Sequence, residues 1–302
     1  MCIVCDLGTG CQTHSVPPSL ERAPSDPDSV ASGAAVESGP LAETSPLAET
    51  SRLAAHGVVR LRADNPGPLT LSGTNTWIVG RDPAYVVDPG PATPRHIERL
   101  VAAVDARGGL GGIALTHDHI DHSEGVGALR EQRPAPLAAA RGKVDVELAE
   151  GIRFGPFIAV ATPGHAPDHL ALIAGRVCFT GDAVLGEGSV FIAPDPGALA
   201  GYLEGLRGLR ERDLDVLCPG HGPPIWEPRA KLEEYIAHRL ERERLLLAAL
   251  DEGRRSTDEL LDAAWPDVSA ALRPVAAVSL RAHLDKLEDE GRLPACVERA
   301  SW

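Results

Sequence analysis

Residues 116–122 read Thr-His-Asp-His-Ile-Asp-His, and no other stretch constrains the chain so tightly. Four side chains able to hold a metal, His117, His119, Asp121 and His122, fall within six residues. They follow the apolar run Gly112-Ile113-Ala114-Leu115, which reads as a buried strand ending in a loop. Residues two apart in extended chain point the same way, so His117 and His119 can share one metal while Asp121 and His122 face another. Ser123-Glu124-Gly125 then reads as the opening of a helix through Val126, Leu129 and Arg130, pinning the ligand loop between a strand end and a helix. A lone histidine is read more simply as a hydrogen-bonded polar residue. This spacing, with partners downstream, reads as a two-metal hydrolase site.

The partners arrive in order. His165 stands in Thr-Pro-Gly-His after Phe157, Ile158 and Val160, Asp182 in Phe-Thr-Gly-Asp after Val177 and Cys178, and His221 in Cys-Pro-Gly-His-Gly after Val216 and Leu217. Each ends an apolar run read as a strand, and each is preceded by glycine, which permits tight backbone in a crowded site. With Asp88 in Val-Val-Asp-Pro-Gly, these strings resemble the five-motif pattern of the metallo-β-lactamase superfamily. That resemblance implies an αββα sandwich of two sheets covered by helices. It also implies a ligand set: His117, His119 and His165 on one metal, Asp121, His122 and His221 on a second, and Asp182 bridging them. Asp88 is the supporting carboxylate that orients a ligand histidine without binding metal. Imidazole and carboxylate donors without thiolate suit zinc, two ions per chain, with manganese or iron compatible on ligand type. Two such ions lower the pKa of a bridging water from about 15.7 towards about 7, making a hydroxide nucleophile. Asp121 and Asp182 are then also the catalytic candidates, as shuttles for that water's proton.

Departures within the superfamily narrow the class. The familiar zinc β-lactamases carry cysteine where this chain has Asp182, and di-iron flavoproteins carry glutamate where it has His119. A persulfide dioxygenase with a single iron is a minor alternative. Asn65-Pro66-Gly67-Pro68, Gly73-Thr74-Asn75-Thr76, Asp168-His169 after His165, Leu185-Gly186 after Asp182, and Pro219 to Pro223 resemble the β-lactamase-like protein 2 subfamily, from about residue 57 onwards. His169 opens an apolar strand and is read as packing or hydrogen-bonding, while Ser189 and Tyr202 are candidates for the cleft.

Residues 1–55 are rich in Ser, Pro, Ala and acidic residues, repeat Pro-Leu-Ala-Glu-Thr-Ser at 40–45 and 46–51, and read as a disordered tail. Cys2, Cys5, Cys11 and His14 in it have a loosely zinc-like spacing but read as incidental. Residues 56–227 form the hydrolase domain, with strands expected near 58–61, 77–79 and 84–87 and a helix near 95–106. Residues 228–302 read as three helices and a short extended end, a winged-helix-like appendage in the subfamily's pattern. Leu232, Ile236 and Leu240 mark the first helix, a Ser256/Glu259 capping box opens the second, and Leu280, Leu284 and Leu287 mark the third.

That appendage holds twelve Lys or Arg against fifteen Asp or Glu. An acidic module is a poor phosphate binder, so DNA is not the expected partner and a cleft-covering or dimerising role is. The whole chain, 302 residues with net charge −14, has no apolar run of the about 18–20 residues that span a bilayer and no signal-peptide pattern. A cytoplasmic protein with reduced thiols and no membrane partner is expected. The expected reaction is hydrolysis of a small acyl substrate, a thioester, ester or lactone. The alternative is cleavage of single-stranded RNA at the same metals.

Overall fold

A strand whose every residue is apolar must be covered on both faces, and the runs Ala84–Val87, Phe157–Ala161 and Leu170–Ala174 are of that kind. In a computed structural model that describes residues 46–298, helix α1 (Pro46–Ala55) leads into strands β1 (Val58–Arg62), β2 (Asn75–Val79) and β3 (Ala84–Val87). Helix α2 (Pro94–Asp105), strand β4 (Leu110–Ala114), the single turn α3 (Ile120–Ser123), helix α4 (Gly125–Gln132) and strands β5 (Leu137–Ala139) and β6 (Val146–Glu147) complete a first sheet, ordered β1 to β6. Strands β7 (Arg153–Phe154), β8 (Phe157–Ala161), β9 (Leu170–Ala174), β10 (Val177–Gly181) and, after helix α5 (Ala198–Arg210), β11 (Val216–Pro219) form the second, ordered β11-β10-β9-β8-β7.

Alternation along each strand divides the core into layers. In β2, Trp77 and Val79 face the space between the sheets, while Ile78 turns outward onto Leu100 and Val104 of α2 and Leu129 of α4. In β10, Val177 and Phe179 meet the same inter-sheet layer, while Cys178 turns outward towards Leu199, Tyr202 and Leu206 of α5. This is the expected αββα sandwich.

The sheets are joined where the motifs end. Asn75 N donates to Gly220 O at 2.7 Å, Leu170 N to Thr116 O at 2.7 Å, and Trp77 Nε1 to Pro219 O at 3.1 Å. Gly220 N also donates to Gly181 O at 2.8 Å, so these bonds gather the ends of β4, β10 and β11 at one edge.

Two expectations are corrected. The tail boundary was placed at residue 55, yet 46–55 is helix α1: Leu53 is buried in the inter-sheet layer, Glu49 pairs with Arg60 at 2.6 Å, and Arg52 stacks on Trp226. One apolar residue and two long-range charged contacts suffice to dock a segment whose composition reads as tail. The cysteine-containing stretch from Cys2 to His14 lies outside the described residues. Second, the helix expected from Ser123 starts earlier, as α3, because His119 O accepts from both His122 N and Ser123 N.

After Pro228 the chain is helical: α6 (Pro228–Asp251), α7 (Thr257–Ala264), a 3₁₀ turn (Ala270–Leu272) and α8 (Arg273–Asp289). The capping box is present, with Ser256 N donating to Glu259 Oε2 and Glu259 N to Ser256 Oγ. Helix α6 serves two cores. Leu232, Tyr235 and Ile236 pack with α5 of the sandwich, whereas Leu246, Ala249 and Leu250 pack with α7 and α8. No helix among the described residues is long and apolar enough to cross a membrane.

Candidate metal centre

Strand ends supply the donors. His117 and His119 follow β4, Asp121 and His122 ride on α3, and His165, Asp182 and His221 follow β8, β10 and β11. The structure brings all seven together: donor atoms of His117, His119 and His165 lie within 4.8 Å of one another, as do those of Asp121, His122 and His221. His122 and Asp182 are both buried beside His117.

Two of the preceding glycines are required for different reasons. Gly181 has φ +46°, and a Cβ there would meet Thr116 Oγ1 at 2.4 Å. Gly220 approaches so closely that a Cβ would lie 2.4 Å from Asp182 Oδ1 and 2.6 Å from His122 Cε1.

The separations fit a metal. Ligand bonds of about 2.1 Å at tetrahedral angles place donors roughly 3.4 Å apart. Asp121 Oδ2, His122 Nε2 and His221 Nε2 stand 3.3–3.5 Å from one another, and Asp182 Oδ1 and Oδ2 stand 3.4 Å from His122 and His221 respectively. Asp182 Oδ2 also comes within 3.5 Å of His165 Nε2, which places this carboxylate between the two ligand triplets. His165 Nε2 and His119 Nδ1 are 2.9 Å apart.

Hydrogen bonds account for only part of this convergence. Asp88 Oδ2 accepts from His122 Nδ1 at 2.9 Å and from Thr116 Oγ1 at 2.7 Å, while Asp88 Oδ1 accepts from Thr116 N at 2.8 Å. That network assigns the Nδ1–H tautomer to His122 and turns its Nε2 lone pair onto two carboxylates and another imidazole. Thr116 Oγ1, having donated to Asp88, accepts from His117 Nδ1 at 3.0 Å, which leaves His117 Nε2 buried without a partner. Asp182 Oδ1 is likewise buried without a hydrogen bond. Lone pairs converging in this way call for a cation, and the residues present fit one.

The same carboxylates favour positive charge at this point, whether proton or metal. Burial opposes charge on His122, but Asp182 and Asp88 overcome it and hold its pKa well above the imidazole range. Burial is likewise outweighed at His221, where Asp121 and Asp182 raise the pKa to about 9. His117 and His165 are driven the other way by burial, His165 to about 4, and stand ready as neutral donors.

His169 is the hydrogen-bonding residue expected of it. Its Nε2 accepts from Asp182 N at 3.0 Å and its Nδ1 donates to Thr162 Oγ1 at 2.8 Å, so it clamps the backbone of a ligand, and burial pushes its pKa down to about 3. Thr74 was not anticipated: its Oγ1 donates to Asp121 Oδ2 at 3.2 Å, while its N donates to Asn65 Oδ1 at 2.9 Å. Arg141 was also missed. It pairs with Asp118 at 2.7 Å and Asp168 at 3.3 Å, and Asp168 Oδ2 accepts from Asp118 N, bracing the ligand loop from outside. Asn65, Thr74 and Asp168 all lie in the short strings noted in the sequence, which therefore held the signal without its meaning.

The cluster floors a cavity of about 950 Å³. Leu69 and Leu71 form one side, Val190 and Phe191 another, and Trp265, Leu272 and Val275 of the C-terminal unit a third. Phe191 lies 4.6 Å from the His165 ring. Ser189 lines the cavity as anticipated. Tyr202 does not: it is fully buried, with its hydroxyl donating to Ala183 O at 2.6 Å.

Residues 69–148 and 140–221 match the metallo-beta-lactamase superfamily. A beta-lactamase-like protein 2 homolog of Caenorhabditis elegans is 31% identical over 254 residues, covering 78% of this chain and 85% of the relative. The chain belongs to the metallo-β-lactamase superfamily. Its residues 256–302 match the beta-lactamase associated winged helix domain, starting 28 residues after the expected boundary of 228 because α6 is shared between the two cores. A second relative, the atrochrysone carboxyl ACP thioesterase of Aspergillus chevalieri, is 34% identical over 212 residues, 66% of this chain and 67% of the relative. A beta-lactamase domain protein from Burkholderia ambifaria shares the fold, with TM-score 0.68 and 22% identity over 78% of this chain and 86% of that one. As a superfamily member with this His/Asp cluster, the protein is a metal-dependent hydrolase.

Proposed function

We propose that the chain is a binuclear zinc hydrolase of small acyl substrates, a thioester, ester or lactone. His117, His119 and His165 would hold one ion and Asp121, His122 and His221 the other, with Asp182 placed to contribute to both. Ions so held supply Lewis acidity and a bound water whose pKa falls towards about 7. Asp88 keeps His122 in the tautomer that presents Nε2, and His169 keeps Asp182 in place by accepting from its backbone. Asp121 and Asp182 both line the cavity and are the carboxylates through which the proton released by hydrolysis would pass, with Asp121 Oδ2 held by Thr74 Oγ1.

The cavity carries the choice of substrate. Its walls are largely aliphatic and aromatic, its volume suits a small molecule, and its acidic groups include Glu187, Glu234 and Asp267. Such a wall fits an acyl chain, and its two arginines, Arg239 and Arg242, are too few to track a polyphosphate backbone, which needs cations along its length. The thioesterase name of one relative supports the same reading.

The test is a panel of acyl thioesters, lactones, a chromogenic β-lactam and labelled single-stranded RNA, given to the zinc-loaded protein. Turnover of an acyl substrate with RNA left intact is the expected result. Efficient cleavage of RNA with no acyl substrate turned over would replace the reading by the ribonuclease.

A further inference from the structure

Arg239, in the middle of α6, lines the cavity and is 2% exposed. Its Nη2 donates to Ser189 Oγ at 2.9 Å and to Val190 O, and its guanidinium lies 5.7 Å from the Tyr202 ring centroid. Its Nε is buried without a partner. No carboxylate pairs with it among the described residues. Arg242, one turn on and also lining the cavity, is by contrast fully committed: Nη1 donates to Ala264 O and Nη2 to Asp267, each at 2.7 Å.

Burying a guanidinium with no counter-charge is costly, and such a group persists where an anion completes it. Arginine cannot escape by losing its proton. The loop that receives Arg239, Ser189 to Val190, continues to Phe191 against the His165 ring, so the unpaired charge and the metal cluster share one cavity.

We propose that Arg239 is the anchor for a carboxylate at the far end of the acyl substrate, whose scissile carbonyl sits at the His/Asp cluster. This rests on the acyl-hydrolase reading above. A carboxylate matches a single guanidinium in charge and geometry. A phosphate dianion would leave one charge unmatched by the single unpaired guanidinium, in a wall that also holds Glu187. Val190, Val275 and Ala276 supply apolar wall for the methylenes between the two ends.

The experiment uses the full-length, zinc-loaded protein and N-acetylcysteamine thioesters of succinyl to pimelyl chains, each beside the chain of equal length ending in methyl. At the best length the carboxylate-ended substrate has a kcat/KM about tenfold or more above its methyl-ended partner, through KM. Arg239→Met brings that ratio to about one, and Arg239→Lys retains part of it. Because the ratio is taken within one preparation, loss of folded protein cancels. A wild-type ratio at or below one at every length, or a ratio that survives Arg239→Met, overturns the proposal. If no thioester is turned over, the thioester form of the acyl-hydrolase reading fails instead, and calorimetric titration with glutarate still decides: binding weakened about tenfold by Arg239→Met upholds the anchor. Equal binding in both proteins, no binding, or tighter binding of inorganic phosphate overturns it.

Discussion

Asp182 reaches three of the six other donor residues, with oxygens 3.4–3.5 Å from His122, His165 and His221, and so touches both triplets. Burial alone would raise its pKa, yet His122 and His221 hold it well below the carboxylate range, so it is an anion waiting for cations. Asp182→Ala should therefore abolish hydrolysis of every substrate and lower bound metal from about two ions per chain, read by elemental analysis. Retention of more than a small fraction of the rate would point to a single-ion mechanism, and one iron without zinc in the wild type would change the metal. Asp88 acts one step back. By fixing Thr116 and His122 it sets two tautomers at once, which gives a carboxylate outside both ligand triplets its place in the site.

At the scale of elements, α6 is the piece that makes one molecule of two cores. Its first half is buried against the sandwich through Leu232 and Ile236, and its second half against α7 and α8 through Leu246 and Leu250. A helix that is apolar on different sides at its two ends has no single stripe. Leu246 is fully buried, so Leu246→Ala should cost about 2–5 kcal/mol, and because the helix is continuous the variant should still unfold in one transition in urea. Two resolved transitions would show that the C-terminal helices fold independently of the sandwich.

For the whole molecule, charge decides between substrates. The chain carries 43 acidic against 29 basic residues, and acidic side chains join the cavity wall. Hydrolysis of a thioester should change little with added salt, since a small acyl group has few charges to screen. An RNA substrate would have to neutralise phosphates, so its affinity would fall roughly tenfold or more between about 50 and 200 mM salt. Measuring KM for both classes across that range separates them. A steep slope on RNA with efficient cleavage would reveal a basic groove at odds with the wall described above.

The seven-residue His/Asp cluster was legible in the sequence because its members sit at the ends of short local strings, a strand followed by a turn that delivers a histidine or aspartate. Spacing alone placed His117, His119, Asp121 and His122 together, and family motifs added His165, Asp182, His221 and Asp88. Only the tertiary structure decided what surrounds them. Thr74 reaches Asp121 across 47 residues and Arg239 reaches Ser189 across 50, contacts that no periodicity encodes. The apolar wall from Trp265 to Val275 belongs to helices that in sequence look like a separate module. Helix α1 was hidden for the same reason, its docking resting on partners far along the chain, at Arg60 and Trp226. Local chemistry selects the donors, whereas the shape and charge of the space above them arise from long-range packing.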